Sequence, residues 1–132
     1  PMDRLAQNIF LAAPTPAQHA ALAAFDSKTI AILEQRKEVF RERRDYLLPA
    51  LASLGFNFPL KPQGAFYLYA DSSGVAEDGF QLCNELLEQA GVAVTPGMDF
   101  GRYRAKEHVR FACTTSLEQL KKGIERIGDF LS

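Results

Sequence analysis

The segment HVRFAC, residues 108–113, constrains the fold most, because it sets one charged side chain inside an otherwise apolar strand. Successive side chains of a strand point to opposite faces of its sheet. Val109, Phe111 and Cys113 therefore form an apolar face, which we expect to pack against helices, and Arg110 falls on the opposite face. The segments GAFYLYA and VAV are apolar on both sides, so the sequence predicts a half-buried Arg110 beside aromatic residues.

A half-buried guanidinium needs an anionic partner, because an unpaired charge is costly away from water. The planar fork of arginine suits a carboxylate, which it can bind through two parallel hydrogen bonds. The partner of Arg110 is either one of the 16 acidic residues of the chain, in a structural ion pair, or the carboxylate of a ligand. Residue types and spacing alone leave both explanations open.

Capping signals and apolar periodicity predict four helices. The first begins at TPAQ with Thr15 as its cap, and it is apolar almost all round. The second runs from residue 26 or 27 to about residue 53, and Asp78 and Ser116 cap the third and the fourth. The predicted apolar faces of the last three helices are, in order, Ile30, Leu33, Phe40, Leu47, Leu51 and Leu54; Phe80, Cys83, Leu87 and Ala90; and Leu117, Leu120, Ile124, Ile127 and Leu131.

Three strands are predicted between these helices: GAFYLYA, VAV at residues 92–94, and HVRFAC. In the first, Phe66, Leu68 and Ala70 share one face, and Tyr67 and Tyr69 share the other. The order is helix, long helix, strand, helix, strand, strand, helix. This order predicts an α+β layer fold, with a small mixed sheet of three or four strands and helices on one face.

Composition restricts the class of protein. The chain has 132 residues, the usual size of one domain, and a net charge of −1, which gives no sign of a nucleic acid or an anionic membrane as partner. We see no membrane-spanning run and no signal peptide. Cys83 and Cys113 both lie among apolar residues and are predicted to be buried thiols in a reducing, cytoplasmic compartment. His19 and His108 are not spaced for a metal site or a nucleophilic dyad.

Three segments in order carry a resemblance to a known family. PQGAFYLYA, GVAVTPGMDFG and HVRFACTTSLEQLKKGIERI resemble the C-terminal part of the class I/II, fold-type I, pyridoxal-phosphate aminotransferases. The positions that match the family's words are Pro62, Gly64, Ala65, Phe66 and Tyr67; then Val92, Val94, Pro96, Gly97, Phe100 and Gly101; then Val109, Arg110, Phe111 and Ala112. The upstream QNIFLAAPTPAQHAAL resembles the stretch that leads into the family's long interdomain helix, and RERRDYLLPALASLGF resembles the end of that helix.

The resemblance implies a role for each part of the chain. Arg110 would bind the α-carboxylate of an amino-acid or 2-oxo-acid substrate, and Phe66 and Tyr67 would line the substrate cleft. Gly97 and Phe100 are expected to shape a turn rather than to contact substrate. Residues 1–25 would end the connection from a large domain, and residues 26–132 would form the small C-terminal domain of a homodimeric aminotransferase.

The resemblance also implies that pyridoxal phosphate is bound by the missing large domain and not by this chain alone. Ser27-Lys28 superficially imitates the Ser-x-Ser-Lys word around the family's Schiff-base lysine, but the earlier serine of that word and the glycines and arginine downstream of it are missing. No glycine-rich loop suited to a phosphate is seen either. We therefore expect Lys28 to be a solvated residue near the start of a helix, and the isolated chain to be inactive.

Two other classes of function remain open. The chain could be a free-standing module that binds a small carboxylate on the same sheet face, or a protein-interaction domain. An initiator methionine and a polar first helix would favour either class. Met2 follows Pro1 and the first helix is apolar, so the sequence favours the aminotransferase domain.

Overall fold

A computed structural model describes all residues from Pro1 to Ser132. Their contacts divide the chain into two compact units, Pro1–Glu38 and Val39–Ser132. The first unit contains α1 (Met2–Leu5), a π-helical turn (Ala6–Phe10), α2 (Thr15–Ala24) and the beginning of α3 (Ser27–Ser53). No side chain of this unit is buried. The boundary predicted between residues 1–25 and residues 26–132 is a different one, because it would separate two domains of a complete enzyme. It stays a prediction.

The second unit contains the end of α3 and every strand. Its elements after α3 are β1 (Tyr67–Asp71), α4 (Gly79–Glu85) with a π-helical continuation (Leu86–Ala90), β2 (Thr95–Pro96), two 3-10 turns (Gly97–Asp99 and Ala105–Glu107), β3 (His108–Ala112) and α5 (Leu117–Leu131). None of the helices combines the length and the apolar character needed to cross a membrane.

The three strands form one sheet in the order β1-β3-β2, so that β3 is central. Both ladders are antiparallel, and the sheet is therefore not mixed, although the predicted α+β class with three strands is confirmed. Tyr69 of β1 and Thr95 of β2 are both in register with Arg110 of β3. These three residues thus form a row across the sheet, on a face that the helices leave open.

The core lies on the other face of the sheet. Leu68 and Ala70 of β1 and Val109 and Phe111 of β3 are buried there, as alternation predicts. The helices contribute further buried apolar side chains, which are Leu47, Leu51, Leu82, Cys83, Leu86, Leu120 and Ile127. Burying several large side chains of this kind contributes about 1.5–3 kcal/mol each relative to solvent exposure. The core therefore fixes which face of β3 can present Arg110.

Most predicted helix limits are confirmed. The Asp78 carboxylate accepts hydrogen bonds from the backbone N–H groups of Phe80 and Gln81 at the start of α4. The Ser116 hydroxyl accepts one from the Gln119 N–H at the start of α5. Gly55 follows α3 with a φ of +98°, which a residue without a Cβ adopts readily. Thr15 is different, since it lies inside α2, behind Pro14, and makes no capping bond.

One prediction about the second unit holds only in part, and another is wrong. Of the predicted face of α4 and its continuation, Cys83 is buried and Ala90 packs against the core, but Phe80 and Leu87 are each 50% exposed and Leu82 and Leu86 are buried instead. The second strand is not VAV, because the residues that pair with β3 are the next two in the chain, Thr95 and Pro96. Val92 and Val94 pack against the core from outside the ladder. In α4 two apolar faces fit the same sequence, and tertiary packing selects one.

Both cysteines are free and buried, as predicted. Burial raises the pKa of the Cys83 thiol to about 11. Burial also raises the pKa of the Cys113 thiol. Neither thiol is therefore suited to nucleophilic chemistry, because the thiolate is the reactive form.

Candidate functional site

Arg110 occupies the centre of the open sheet face. It belongs to the middle strand, and β1 and β2 lie on either side of it. The neighbours on the same face include Tyr67 and Tyr69, which are each a little over one third exposed. Because a strand in the middle of a sheet is held on both edges, its side chains have well-defined positions.

Two aromatic rings cover the Arg110 guanidinium. The guanidinium carbon lies 4.4 Å from the centre of the Phe100 ring and 5.5 Å from the centre of the Tyr67 ring. Both distances fall within the range of cation–π attraction. The rings exclude water from part of the guanidinium, so the charge is available to a ligand in surroundings of lower polarity.

The polar contacts of Arg110 are few. Its Nη2 donates to the Thr95 hydroxyl oxygen at 3.3 Å. Its Nε is buried and has no hydrogen-bond partner. The ion pairs of the second unit involve other cations, such as Arg104 and Lys106. The structural ion pair that the sequence left open is therefore absent, and the guanidinium has no anion within its own chain.

A cavity of about 500 Å³ opens at Arg110. Its side-chain walls are Tyr67, Tyr69, Phe100, Arg102, Tyr103 and Arg110. Rings and two guanidinium groups thus make the walls, with no carboxylate among them. Binding sites for small molecules have this general character, mostly apolar with a few polar groups that orient the ligand.

A second cavity of about 380 Å³ lies on the same sheet face. Tyr67 and Tyr69 form walls of both cavities, and the loop from Pro59 to Ala65 covers the other side of the second one. His108 stacks on Tyr69, with ring centres 4.9 Å apart and planes inclined by 12°. The imidazole of His108 and the phenol rings of Tyr67 and Tyr69 therefore form walls of the second cavity. Burial raises the pKa of the Tyr69 hydroxyl.

The structure brings together two of the three predicted site residues. Arg110 and Tyr67 share the walls of the first cavity. Phe66 lines neither cavity of the open face, and it touches Tyr67 only edge to face, with ring centres 5.6 Å apart. Phe66 lies just before the first residue of β1, and its side chain is 51% exposed. Phe66 contributes its backbone carbonyl, which accepts a hydrogen bond from Cys113.

Sequence reasoning missed Phe100. We expected this residue only to shape a turn, but its ring covers Arg110 and lines the cavity. The preceding 3-10 turn begins at Gly97, as expected for a turn. A Cβ at Gly97 would lie 2.5 Å from the Ala105 carbonyl oxygen and 2.7 Å from the Tyr69 hydroxyl. This close approach explains why a glycine is required at the start of the turn that carries Phe100.

Ion pairs fix the loop that carries the far wall of the cavity. Arg104 has a φ of +47°, unusual for a residue with a Cβ. Its guanidinium contacts Glu107 and lies 3.3 Å from a carboxylate oxygen of Asp71 at the end of β1. Hydrogen bonds from Ser73, together with the nearby Arg104 charge, hold the pKa of the Asp71 carboxyl below its ordinary value. The loop is thus anchored to β1 next to Arg102 and Tyr103.

The six lysines lie away from the Arg110 cavity. None of them lines either cavity of the open face. Lys37 and Lys106 pair with Glu34 and Asp78 respectively. Lys28 is exposed in the first turn of α3, and it does not line the Arg110 cavity. A cofactor held as a Schiff base needs a lysine at the substrate, and neither cavity of the open face offers one.

The chain matches the family model "Aminotransferase class I and II" over residues 2–127. It is 36% identical over 129 residues to the (5-formylfuran-3-yl)methyl phosphate transaminase of Methanocaldococcus jannaschii, a match that covers 98% of this chain and 34% of that protein. It is 42% identical over 119 residues to the aspartate/prephenate aminotransferase of Thermus thermophilus, with 89% of this chain and 30% of that protein covered.

Solved structures agree with the sequence comparison. The crystal structure of an aminotransferase from Mycobacterium tuberculosis superimposes with a TM-score of 0.90 at 33% identity, over 98% of this chain and 33% of that one. The chain thus spans about a third of the length of the relatives that it matches. The match covers almost all of the chain, including the strand that carries Arg110 and the turn that carries Phe100. The chain therefore belongs to the class I and II aminotransferase family.

Proposed function

We propose that this chain is the C-terminal small domain of a pyridoxal-phosphate-dependent aminotransferase, and that Arg110 binds the α-carboxylate of its substrates. The enzyme would transfer an amino group between an L-amino acid and a 2-oxo acid, both of which carry a carboxylate beside the reacting carbon. The observation that supports this role best is the guanidinium itself. It is partly buried, it lines a cavity, and it has no anionic partner in the chain.

The surroundings of Arg110 suit a carboxylate. Phe100 and Tyr67 cover the guanidinium, and the Thr95 hydroxyl accepts a hydrogen bond from Nη2. The rings limit the competition from water, and the hydrogen bond limits rotation of the guanidinium. A charge-assisted hydrogen bond is roughly twice as strong as a neutral one, and a pair of parallel bonds also orients the carboxylate. This chain would thus bind and orient the substrate.

The cofactor would supply the amino-group chemistry when it is bound. Since no lysine of this chain lines the Arg110 cavity, the rest of a complete enzyme would hold the cofactor.

The apolar side chains exposed in the first unit are consistent with further protein packing there. Met2, Phe10, Leu11, Leu22 and Phe25 are each more than 70% exposed. Exposed apolar patches of this kind often mark interfaces, and we propose a homodimer as the complete assembly.

We also propose a cytoplasmic location, supported by the two buried free cysteines. Free thiols are typical of proteins in reducing compartments. The names of two relatives specify different substrates, aspartate and prephenate in one and valine and pyruvate in the other. The preferred amino acid is therefore a separate question from the role of Arg110.

The experiment that tests this function replaces Arg110 in the full-length protein. Breaking a desolvated pair of opposite charges by removing one partner costs roughly 2–5 kcal/mol. At about 1.4 kcal/mol per tenfold change, Arg110→Ala should lower kcat/KM for amino acids by roughly 30- to 4,000-fold. Arg110→Lys should recover only part of the loss, because lysine cannot form two parallel bonds in one plane.

Cofactor occupancy, read from the visible absorbance of the enzyme, is the second measurement. It should stay near the wild-type value in both variants, because Arg110 would touch the substrate and not the cofactor. Lys122→Ala is the matched control, since Lys122 is an exposed cation of α5 outside the cavity. A near-normal kcat/KM in Arg110→Ala would contradict the proposed role.

A further inference from the structure

Thr95 lies directly opposite Arg110 on the neighbouring strand. The two residues are partners in the register of β2 and β3. Side chains of opposite residues in an antiparallel pair lie on the same face of the sheet, with Cβ atoms about 4.5–5.5 Å apart. Nη2 of Arg110 donates to the Thr95 hydroxyl oxygen at 3.3 Å, and this is the one hydrogen bond that the guanidinium makes within the chain.

The local sequence holds the Thr95 hydroxyl in a defined place. Thr95 and Pro96 are the whole of β2. A residue that precedes proline is restricted to extended backbone, and a β-branched side chain has few rotamers about its first side-chain bond. Thr95 is also half-buried. Its hydroxyl is therefore a well-placed acceptor for the guanidinium.

The remaining donors of Arg110 are not equally open to a ligand. A guanidinium carries five N–H groups. Nε is buried and has no partner, so a ligand in the cavity does not reach it. Nη1 has no partner in the chain either, but it is not enclosed as Nε is. Two parallel hydrogen bonds to a carboxylate require neighbouring nitrogens, so the edge formed by Nη1 and Nη2 is the one that suits a ligand.

The Thr95 hydroxyl and the aromatic rings restrict the guanidinium in different ways. Phe100 and Tyr67 contact it through their ring faces, which limits its tilt. The ring contacts alone leave the guanidinium free to turn within its own plane. The hydrogen bond from Nη2 to Thr95 opposes this turn, because it ties one end of the ligand-binding edge to β2.

From these contacts we propose that Thr95 is a positioning residue, which holds the Nη1–Nη2 edge of Arg110 towards the cavity. Thr95 does not line the cavity itself, so it acts through Arg110 and not on the substrate. Without the hydroxyl, the guanidinium would take several orientations, and each binding event would bear the cost of ordering it. This inference rests on the proposed function of Arg110.

The test removes the hydroxyl without changing the shape of the side chain. In the full-length holoenzyme, Thr95→Val should raise KM for amino acids about tenfold and leave kcat within about twofold, because the carboxylate is held alike before and during the reaction. Thr95→Ser, which keeps the hydroxyl, should stay within about threefold of the wild type. Thr115→Val is the matched control, since Thr115 is exposed and does not line the cavity.

A second measurement asks whether Thr95 acts through Arg110. In an Arg110→Ala background, Thr95→Val should change KM by less than about twofold, because no guanidinium remains to be positioned. The inhibition constant of propionate, a monocarboxylate that does not react, should follow the same pattern and reports binding alone. The melting temperature of Thr95→Val should stay close to that of the wild type, since valine is at least as suited to a strand as threonine.

The outcomes separate this inference from the proposed function. A Thr95→Val enzyme with a normal KM overturns the inference, and so does a Thr95→Ser enzyme that is equally impaired. A loss of the same size with and without Arg110 also overturns it, because the hydroxyl would then act on something else. If Arg110→Ala impairs catalysis while Thr95→Val does not, only the inference fails. If Arg110→Ala impairs nothing, the carboxylate role of Arg110 fails, and the inference fails with it.

Discussion

The Arg110 guanidinium carbon lies 4.4 Å from the centre of the Phe100 ring, although the two residues belong to different elements. Arg110 is in the central strand, and Phe100 follows the 3-10 turn after β2. The ring covers the guanidinium and also contacts Tyr69 edge to face, with ring centres 6.2 Å apart. Phe100 thus joins the arginine to the aromatic wall of the cavity.

Loss of the Phe100 ring should weaken substrate binding at Arg110. A cation–π contact contributes about 0.5–2 kcal/mol, and more where water is excluded. In the full-length enzyme we expect Phe100→Leu to lower kcat/KM for amino acids roughly 3- to 30-fold at 1.4 kcal/mol per tenfold, while Phe100→Tyr, which keeps the ring face, stays within about threefold. Equal losses in both variants would mean that shape, and not the ring face, matters at this position.

Gly97 is expected to tolerate no side chain. A Cβ there would lie 2.5 Å from the Ala105 carbonyl oxygen and 2.8 Å from the His108 carbonyl oxygen. Because the clash would be with backbone atoms, only a movement of the second 3-10 turn and β3 could relieve it. Gly97→Ala should therefore lower the free energy of unfolding by about 1–3 kcal/mol, the usual cost of overpacking.

The matched control is Gly101→Ala. A Cβ at Gly101 would meet nothing within 4 Å, and the residue lies on the same cavity loop. Urea unfolding of the two variants beside the wild type measures the difference. Gly97→Ala should also reduce substrate affinity, because the displaced turn carries Phe100. A Gly97→Ala variant as stable as Gly101→Ala would show that the turn adapts without strain.

The face that Arg110 occupies could be predicted from the sequence, because a strand has a fixed period of two. Val109 and Phe111 are buried, as expected, and Arg110 is on the opposite face. The contact of Phe100 with Arg110 could not be predicted in this way. It depends on how the segment after β2 folds back over the sheet, and no periodic pattern describes such a return.

Helix α4 shows a second limit of prediction. Its sequence contains two apolar faces, one with Phe80 and Leu87 and the other with Leu82 and Leu86. Both have helical spacing, so the periodicity cannot select between them. The position of the sheet selects the second face, which is buried. The assignment of Phe66 to the substrate cleft stays a prediction, because the cleft of a complete enzyme includes residues outside this chain.

Asp71 should make the fold sensitive to acid. Hydrogen bonds from Ser73 and the charge of Arg104 lower the pKa of its carboxyl below the ordinary value in the folded protein. A lowered pKa means that the ionised form stabilises the fold above about pH 4, and that this contribution disappears as the pH falls through the folded-state pKa. Asp71→Asn should therefore lower the free energy of unfolding by about 1 kcal/mol at pH 7.

The difference in the free energy of unfolding between wild type and Asp71→Asn should shrink as the pH falls below about 4, because the unfolded chain then takes up a proton at Asp71 before the folded protein does. Urea unfolding at pH 7, 5 and 3 measures this difference. Asp129→Asn is the control, because Asp129 is an exposed carboxylate of α5 without an ion pair to Arg104. A destabilisation of Asp71→Asn that was the same at every pH would exclude the charge of Asp71 as its cause.

The isolated chain should show no transaminase activity and should form no stable Schiff base with pyridoxal phosphate. None of its lysines lines the cavity that holds Arg110, and several are engaged elsewhere, as Lys106 is with Asp78. Reduction with borohydride after mixing with the cofactor should therefore label the lysines sparsely and without selectivity. The full-length enzyme, treated alike, should carry one label at one lysine. Stoichiometric labelling of a single lysine in the isolated chain, with turnover of an amino acid and a 2-oxo acid, would contradict the division of labour proposed here: a chain that binds the substrate carboxylate, and a cofactor held by the rest of the enzyme.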